Sequence, residues 1–318
     1  MQSIRLYLKV NKLTTVKNYL SLIKFSHTIF AMPFALIGFF LAFRQSPGQV
    51  NLNDTIGWSG NVNLDVNRNY WLLFVLVVLC MMLARSAAMA FNRYLDRAFD
   101  AKNPRTAIRE IPSGVIKSNN ALLFVIACSI LFIICTFFIN KICFYLSPVA
   151  LFVVLFYSYT KRFTALCHIV LGIGLSLAPI GAYLAVTGAF ALLPVLFSFA
   201  VVFWVSGFDI IYAMQDEEFD KGNQLYSIPA SLGKAKALNV SVILHLLSAA
   251  FVVYAGVYGK FGWSYWLGIA FFISMLVYQH SIVKPNDLRR VNIAFMTANG
   301  IASVVFAAFV LIDLFIKR

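Results

Sequence analysis

The chain has 318 residues, of which 61% are hydrophobic and only 12% charged, and it carries a net charge of +14. A soluble domain carries about 25% charged residues, so a water-soluble globular protein is excluded. Repeated apolar stretches of about 20 residues can each cross a roughly 30 Å hydrocarbon core, which places the chain among polytopic membrane proteins.

The first two dozen residues are polar and basic, with Arg5, Lys9, Lys12, Lys17 and Lys24. The apolar run that follows has no small-residue cleavage site, so it reads as a retained first span and not as a signal peptide. Nine apolar segments can be drawn, at roughly 25–43, 71–91, 121–139, 143–159, 165–187, 190–213, 238–257, 263–282 and 292–315. Each is expected to be helical, because a single span in lipid must satisfy its own backbone hydrogen bonds. The expected fold is all-α: one transmembrane domain over 1–318, with no soluble domain.

Basic residues set the orientation. Arg93, Arg97, Lys102, Arg105, Arg109 and Lys117 follow span 2; Lys161 and Arg162 follow span 4; Lys221, Lys234 and Lys236 follow span 6; Lys284, Arg289 and Arg290 follow span 8. The opposite side has only Arg44, Arg68, Lys141, Lys260, Lys317 and Arg318. The excess marks the cytoplasmic face of a cell inner (plasma) membrane protein. Segment 1–24 is then cytoplasmic, and the polar 44–70 loop is an external connector. Anionic lipid and an anionic substrate account for the surplus charge; no nucleic acid is needed.

Acids are scarce, so their placement is informative. Of the twelve, eight fall in two short windows: Asp96, Asp100 and Glu110 after span 2, and Asp209, Asp216, Glu217, Glu218 and Asp220 after span 6. Asn92, Asp96 and Asp100 recur at i, i+4 and i+8, on one face of a helix that continues span 2. Asp209, Asp216 and Asp220 recur at i, i+7 and i+11, again one stripe. Carboxylates at these spacings repel unless cations neutralise them. Hard oxygen donors of this kind favour Mg²⁺, which commonly binds one or two carboxylates together with substrate phosphates. Tyr157, Lys161 and Arg162 close span 4 on the same side, and Arg85 lies inside span 2, where a charge needs a functional reason. Cations converging with carboxylate-held metal suit a diphosphate.

These residues together resemble the UbiA superfamily of intramembrane aromatic prenyltransferases, over essentially the whole chain. The resemblance is carried by the run Asn92 to Asp100, by Asn103-Pro104-Arg105-Thr106, by Ile111-Pro112-Ser113-Gly114, by Tyr157 with Lys161 and Arg162, by Ala178-Pro179-Ile180-Gly181-Ala182-Tyr183, and by Asp209, Tyr212, Gln215, Asp216 and Asp220. It is strongest to the 4-hydroxybenzoate polyprenyltransferase branch of quinone synthesis. It implies a helical ring around a central cavity with both acidic motifs at its cytoplasmic mouth. It assigns Asn92, Asp96, Asp100, Asp209, Asp216 and Asp220 to Mg²⁺ and diphosphate binding. Arg85, Asn92, Tyr157, Lys161, Arg162 and Tyr212 are implied to contact substrate, and Asp96, Asp209, Asp216 and Lys161 to carry catalysis. One departure is Arg93, where many members have Asp; that position is expected to point off the metal stripe.

The implied chemistry is transfer of a polyprenyl group from its diphosphate to a phenolic acid by electrophilic aromatic substitution, with Asp209, the deepest acid, as the candidate base. Alternative acceptors are a dihydroxynaphthoate, a tetrapyrrole or a sugar phosphate. A transporter is the rival of another class, and it fits less well because the acids cluster at one face. The histidines, His168 among them, read as packed or interfacial side chains.

Overall fold

The computed structural model describes residues 17–24, 30–43 and 68–316. The basic residues before Lys17 and most of the 44–70 loop lie outside the described residues.

Helices make up the architecture: α1 (Met32–Leu41), α2 (Tyr70–Lys102), α3 (Ser118–Ile139), α4 (Lys141–Thr160), α5 (Cys167–Thr187), α6 (Leu192–Ala213), α7 (Glu217–Gly222), α8 (Ile228–Leu232), α9 (Lys234–Tyr258), α10 (Trp263–Ile282) and α11 (Asn299–Ile316). A 3₁₀ turn (Met214–Asp216) joins α6 to α7, and a π-helical stretch (Ile293–Ala298) leads into α11. Eight helical stretches are long and apolar enough to cross a membrane, which makes the chain a multi-pass membrane protein. The expected first span is met among the described residues only by the ten residues of α1. At 1.5 Å per residue these reach about 15 Å, so the ninth crossing is not reproduced. Pro33 sits in the first turn of α1, where its missing N–H costs nothing.

Successive long helices are neighbours: α2 packs on α3, α3 on α4, α4 on α5, α5 on α6, α6 on α9, and α10 on both α9 and α11. α1 packs against α5 and α11 and touches α2, closing the circuit. Lipid offers no hydrophobic force between helices, so close approach relies on small residues. A Cβ on Gly38 would lie 2.0 Å from the Pro179 carbonyl oxygen, and one on Gly172 would lie 2.5 Å from the Val202 carbonyl oxygen. Glycine is required at both crossings, α1 on α5 and α5 on α6.

Polar side chains staple the end of the bundle remote from the acidic motifs. Asn140 caps α4 by accepting from Cys143 N–H at 2.8 Å, and its amide donates to the Leu184 carbonyl at 2.8 Å. The Arg68 guanidinium donates to the carbonyls of Ile139 and Val186. These contacts satisfy last-turn carbonyls that apolar surroundings would otherwise leave bare. The π-helical stretch is held by Asn299, whose amide donates to Ala294 O (2.9 Å), Phe295 O (3.2 Å) and Gln279 Oε1 (3.1 Å) and whose carbonyl accepts from Trp204 Nε1 at 2.9 Å. The stretch carries Phe295 onto the ring of Tyr212, with centroids 4.3 Å apart.

Candidate active site

At the other end the loops after α2, α4 and α6 converge on one cavity. Helix α2 runs for 33 residues, well beyond a bilayer's thickness at 1.5 Å per residue. Its pocket-facing stripe therefore extends from Arg85 inside the bundle to Asp100 at the mouth. Asn92, Asp96 and Asp100 line the cavity from this helix; Asp209, Tyr212, Asp216 and Asp220 line it from α6 and α7, and Tyr157 and Lys161 from the end of α4. The stripe of Asp209, Asp216 and Asp220 survives the 3₁₀ turn between Asp209 and Asp220, since all three still reach the cavity.

Each acid has a specific partner. Asp96 Oδ1 accepts from Arg162 at 2.9 Å, and its other oxygen accepts from the Asn92 amide at 3.1 Å. Asp100 takes both oxygens to Arg109 Nη1, at 2.7 and 2.9 Å. Asp216 is clasped by Arg105, which also donates to the Tyr212 hydroxyl at 3.0 Å. Asp220, fully buried, pairs with Lys161 at 2.7 Å and accepts from Ser227 at 3.1 Å. Burial alone would lower the Lys161 ammonium, but the adjacent Asp220 outweighs it and holds Lys161 above its ordinary value. Asp209 differs: its partner is His168, with Nδ1 2.6 Å from Oδ2.

Behind the acids lies an aromatic compartment. The rings of Phe30, Phe208 and Phe295 form a triangle with each centroid pair 5.4 Å apart, and Tyr212 stacks on Phe295. Leu171, Leu175 and Val205 continue the apolar wall. Arg85 faces the cavity with its Nε buried and without a hydrogen-bond partner among the described residues.

A model of the UbiA prenyltransferase family matches residues 60–301. The chain belongs to this family. This prenyltransferase is 30% identical over 239 residues to a 4-hydroxybenzoate octaprenyltransferase of Nitrosospira multiformis, an alignment covering 75% of this chain and 82% of that one. It is 32% identical over 238 residues to the same-named protein of Paraburkholderia phytofirmans, covering 74% and 82%. Among solved structures, the apo UbiA homolog of Aeropyrum pernix superposes with a TM-score of 0.72 at 26% identity, covering 92% of this chain and 98% of that one. A UbiA homolog of Archaeoglobus fulgidus bound to DMAPP and Mg²⁺ shares the fold with a TM-score of 0.68 at 20% identity, covering 94% and 99%.

Two of the prenyltransferase's side chains sit differently from their sequence-based reading. Arg162 does not line the cavity. It reaches back to Ser158 O (2.9 Å), Leu95 O (3.1 Å) and Asp96, and so ties the end of α4 to α2. Arg93, expected off the stripe, is buried and reaches the cavity, with Nη1 3.7 Å from Glu110. The cavity is wide enough to be lined by neighbouring positions of α2, so a single-face reading of that helix was too narrow.

Other site residues were not singled out from sequence. Asn103 accepts from Arg105 N–H in an Asx turn and donates to Asp216 at 3.1 Å, so the Asn-Pro-Arg turn joins the two acidic motifs. That turn was visible as a motif, but nothing local said it would cross to α7. His168 gave no signal either, because its partner lies 41 residues away.

A metal's fit can be judged from the donors. The cavity gathers carboxylate and amide oxygens from two separate helices on facing walls, with no thiolate among them except the buried Cys167. Such hard donors suit Mg²⁺ and disfavour a soft metal.

Proposed function

We propose that this protein transfers a polyprenyl group from an allylic polyprenyl diphosphate to a small phenolic acid of the 4-hydroxybenzoate type, in quinone biosynthesis. The supporting observation is the cavity itself: two acidic motifs with Lys161 and Arg105 at its mouth, an aromatic compartment behind them, and an unpartnered guanidinium within α2. The relatives' names and the ligands of the structural neighbours point the same way.

Asn92, Asp96 and Asp100 on one wall and Asp216 and Asp220 on the other would hold Mg²⁺. Bound there, the metal supplies charge neutralisation for the diphosphate. Lys161 and Arg105 donate to the departing diphosphate oxygens as the allylic C–O bond breaks and its electrons pass to the leaving group. The faces of Phe30, Phe208, Phe295 and Tyr212 stabilise the positive charge left on the prenyl carbon. The phenolic ring attacks that carbon. Asp209 then takes the displaced ring proton. Arg85 binds the acceptor's carboxylate.

Purified protein in detergent, with a polyprenyl diphosphate and a panel of 4-hydroxybenzoate, dihydroxynaphthoate and glycerol phosphate, tests this reading. Product from the phenolic acid alone supports it. Product only from another acceptor replaces the acceptor, and no product in any reaction removes the reading. Arg85→Ala should raise the acceptor KM by about 10- to 100-fold, the worth of a charged hydrogen bond, and leave the diphosphate KM within twofold. A rise in the diphosphate KM instead would reassign Arg85 to the leaving group.

The cavity end is assigned to the cytoplasm from its basic loops. On a cysteine-free background, Lys221→Cys should react with a membrane-impermeant thiol reagent only from the cytoplasmic side. Lys260→Cys, between α9 and α10, should react only from the opposite side. Equal reactivity from one side would overturn the orientation.

A further inference from the structure

His168 is the second residue of α5, buried at 2% exposure, and it lines the cavity. Its ring is held from two directions. Nδ1 faces Asp209 Oδ2 at 2.6 Å, and Nε2 faces the backbone N–H of Ile228 at 3.4 Å. Ile228 opens α8, whose N-cap Ser227 accepts from Ala230 N–H. The Ile228 N–H is one of the helix's first donors, which have no partner within the helix. A backbone N–H can only donate, so Nε2 must present its lone pair. The proton of the neutral imidazole is then on Nδ1, and His168 donates to Asp209.

This arrangement separates Asp209 from the other acids of the site. Asp96, Asp100, Asp216 and Asp220 are each neutralised by an arginine or lysine. A carboxylate paired to a fixed cation is a weak proton acceptor, because protonating it breaks the pair. Asp209 has instead a neutral donor that fixes one oxygen and leaves its negative charge in place. It also adjoins Phe208 of the aromatic compartment, where the reacting ring would lie.

We propose that His168 is a positioning residue for proton removal: its Nδ1–H holds one oxygen of Asp209 so that the carboxylate presents the other to the ring carbon being substituted. The inference rests on the reading of Asp209 as the base. In the step it serves, the C–H bond at that carbon breaks, its electron pair restores aromaticity, and the proton passes to Asp209. No oxidant or further reactant is required.

The test compares the full-length wild type with His168→Leu, His168→Asn and Asp209→Asn. Asn can place an amide N–H near the position of Nδ1, whereas Leu cannot donate. The acceptor is supplied with hydrogen or deuterium at the substituted ring position, and thermal stability is measured in detergent alongside. With His168→Leu, kcat should fall about 10- to 100-fold, toward the lower range for lost general-base catalysis, and both KM values should stay within twofold. The isotope effect on kcat should rise from near 1 to about 2 or more as proton removal becomes limiting. His168→Asn should recover most of the rate and return the isotope effect toward 1. If His168→Leu unfolds, Asp209→Asn must by itself show the raised isotope effect. An isotope effect unchanged in every folded variant, or His168→Asn as impaired as His168→Leu at equal stability, overturns the proposal. A wild type that prenylates no phenolic acceptor overturns the functional reading, and with it this inference. Product from wild type without the isotope signature overturns the inference alone.

Discussion

Asp96→Asn and Asp216→Asn should each lower turnover by about 10²–10³-fold while leaving the protein folded, the usual cost of losing a metal-orienting group or an electrostatic stabiliser. Asn nearly matches Asp in size and can still accept the hydrogen bonds that Arg162 gives Asp96 and that Arg105 and Asn103 give Asp216. What is removed is one negative charge on each wall. The walls belong to different helices but serve one diphosphate, so the double variant should fall by less than the product of the single effects. Glu217→Gln is the control. Glu217 pairs with Lys221 at 2.6 Å and Lys234 at 3.7 Å and faces away from the cavity, so turnover should change less than about twofold. Product formation is followed against Mg²⁺ concentration for wild type and all variants. Near-normal turnover in Asp216→Asn, or full wild-type activity in excess chelator, would refute a mechanism in which both motifs hold the metal.

Much of this site was legible in the sequence because its signals are local. Asn92, Asp96 and Asp100 share a face by helical spacing alone, and the helix long enough to carry them is written in an uninterrupted apolar and then polar run. The same holds for Asp209, Asp216 and Asp220, although the 3₁₀ turn at Met214–Asp216 replaces the continuous helix that spacing suggested. What spacing cannot reveal is which residue answers which across the cavity. Arg105 reaches Asp216 over 111 residues, Arg162 reaches Asp96 over 66, and His168 reaches Asp209 over 41. Arg162 and Lys161 are adjacent in sequence and were read alike, yet one braces the back of α2 and the other faces the cavity. Near the end of a helix, one residue's step is about 100° of rotation, enough to turn neighbouring cations to different duties. The first span was overcalled for a related reason. Apolar composition over 25–43 matches a crossing, but composition does not register where Pro33 starts the helix.

The last expectation concerns Lys161, whose two duties can be separated. Its partner Asp220 is fully exposed to nothing but protein, with no accessible surface, and Lys161 is its one cationic contact. Removing one member of a buried pair leaves an uncompensated charge and costs about 3–5 kcal/mol. Lys161→Met should therefore lower the thermal midpoint in detergent by roughly 5–10 °C as well as cutting turnover. The ion pair persists across neutral pH, because Lys161 is held above its ordinary value by Asp220 against the opposing effect of burial. A group raised in this way contributes its stability fully below the unfolded value and loses it only as pH climbs through the raised one, so the variant's deficit should be constant from pH 6 to 8, about two units below the range where lysine titrates. Lys161→Met combined with Asp220→Asn removes both charges, and the remaining Asn can still accept from Ser227. The midpoint should recover most of its loss, since a neutral pair in a buried site carries no unpaired charge. Turnover should not recover. The double variant still lacks the ammonium that meets the leaving diphosphate, and its rate should stay about 10²-fold or more below wild type. Restored stability with restored turnover would reduce Lys161 to a structural counterion of Asp220. Unrestored stability would mean that Lys161 stabilises the fold through contacts other than this ion pair.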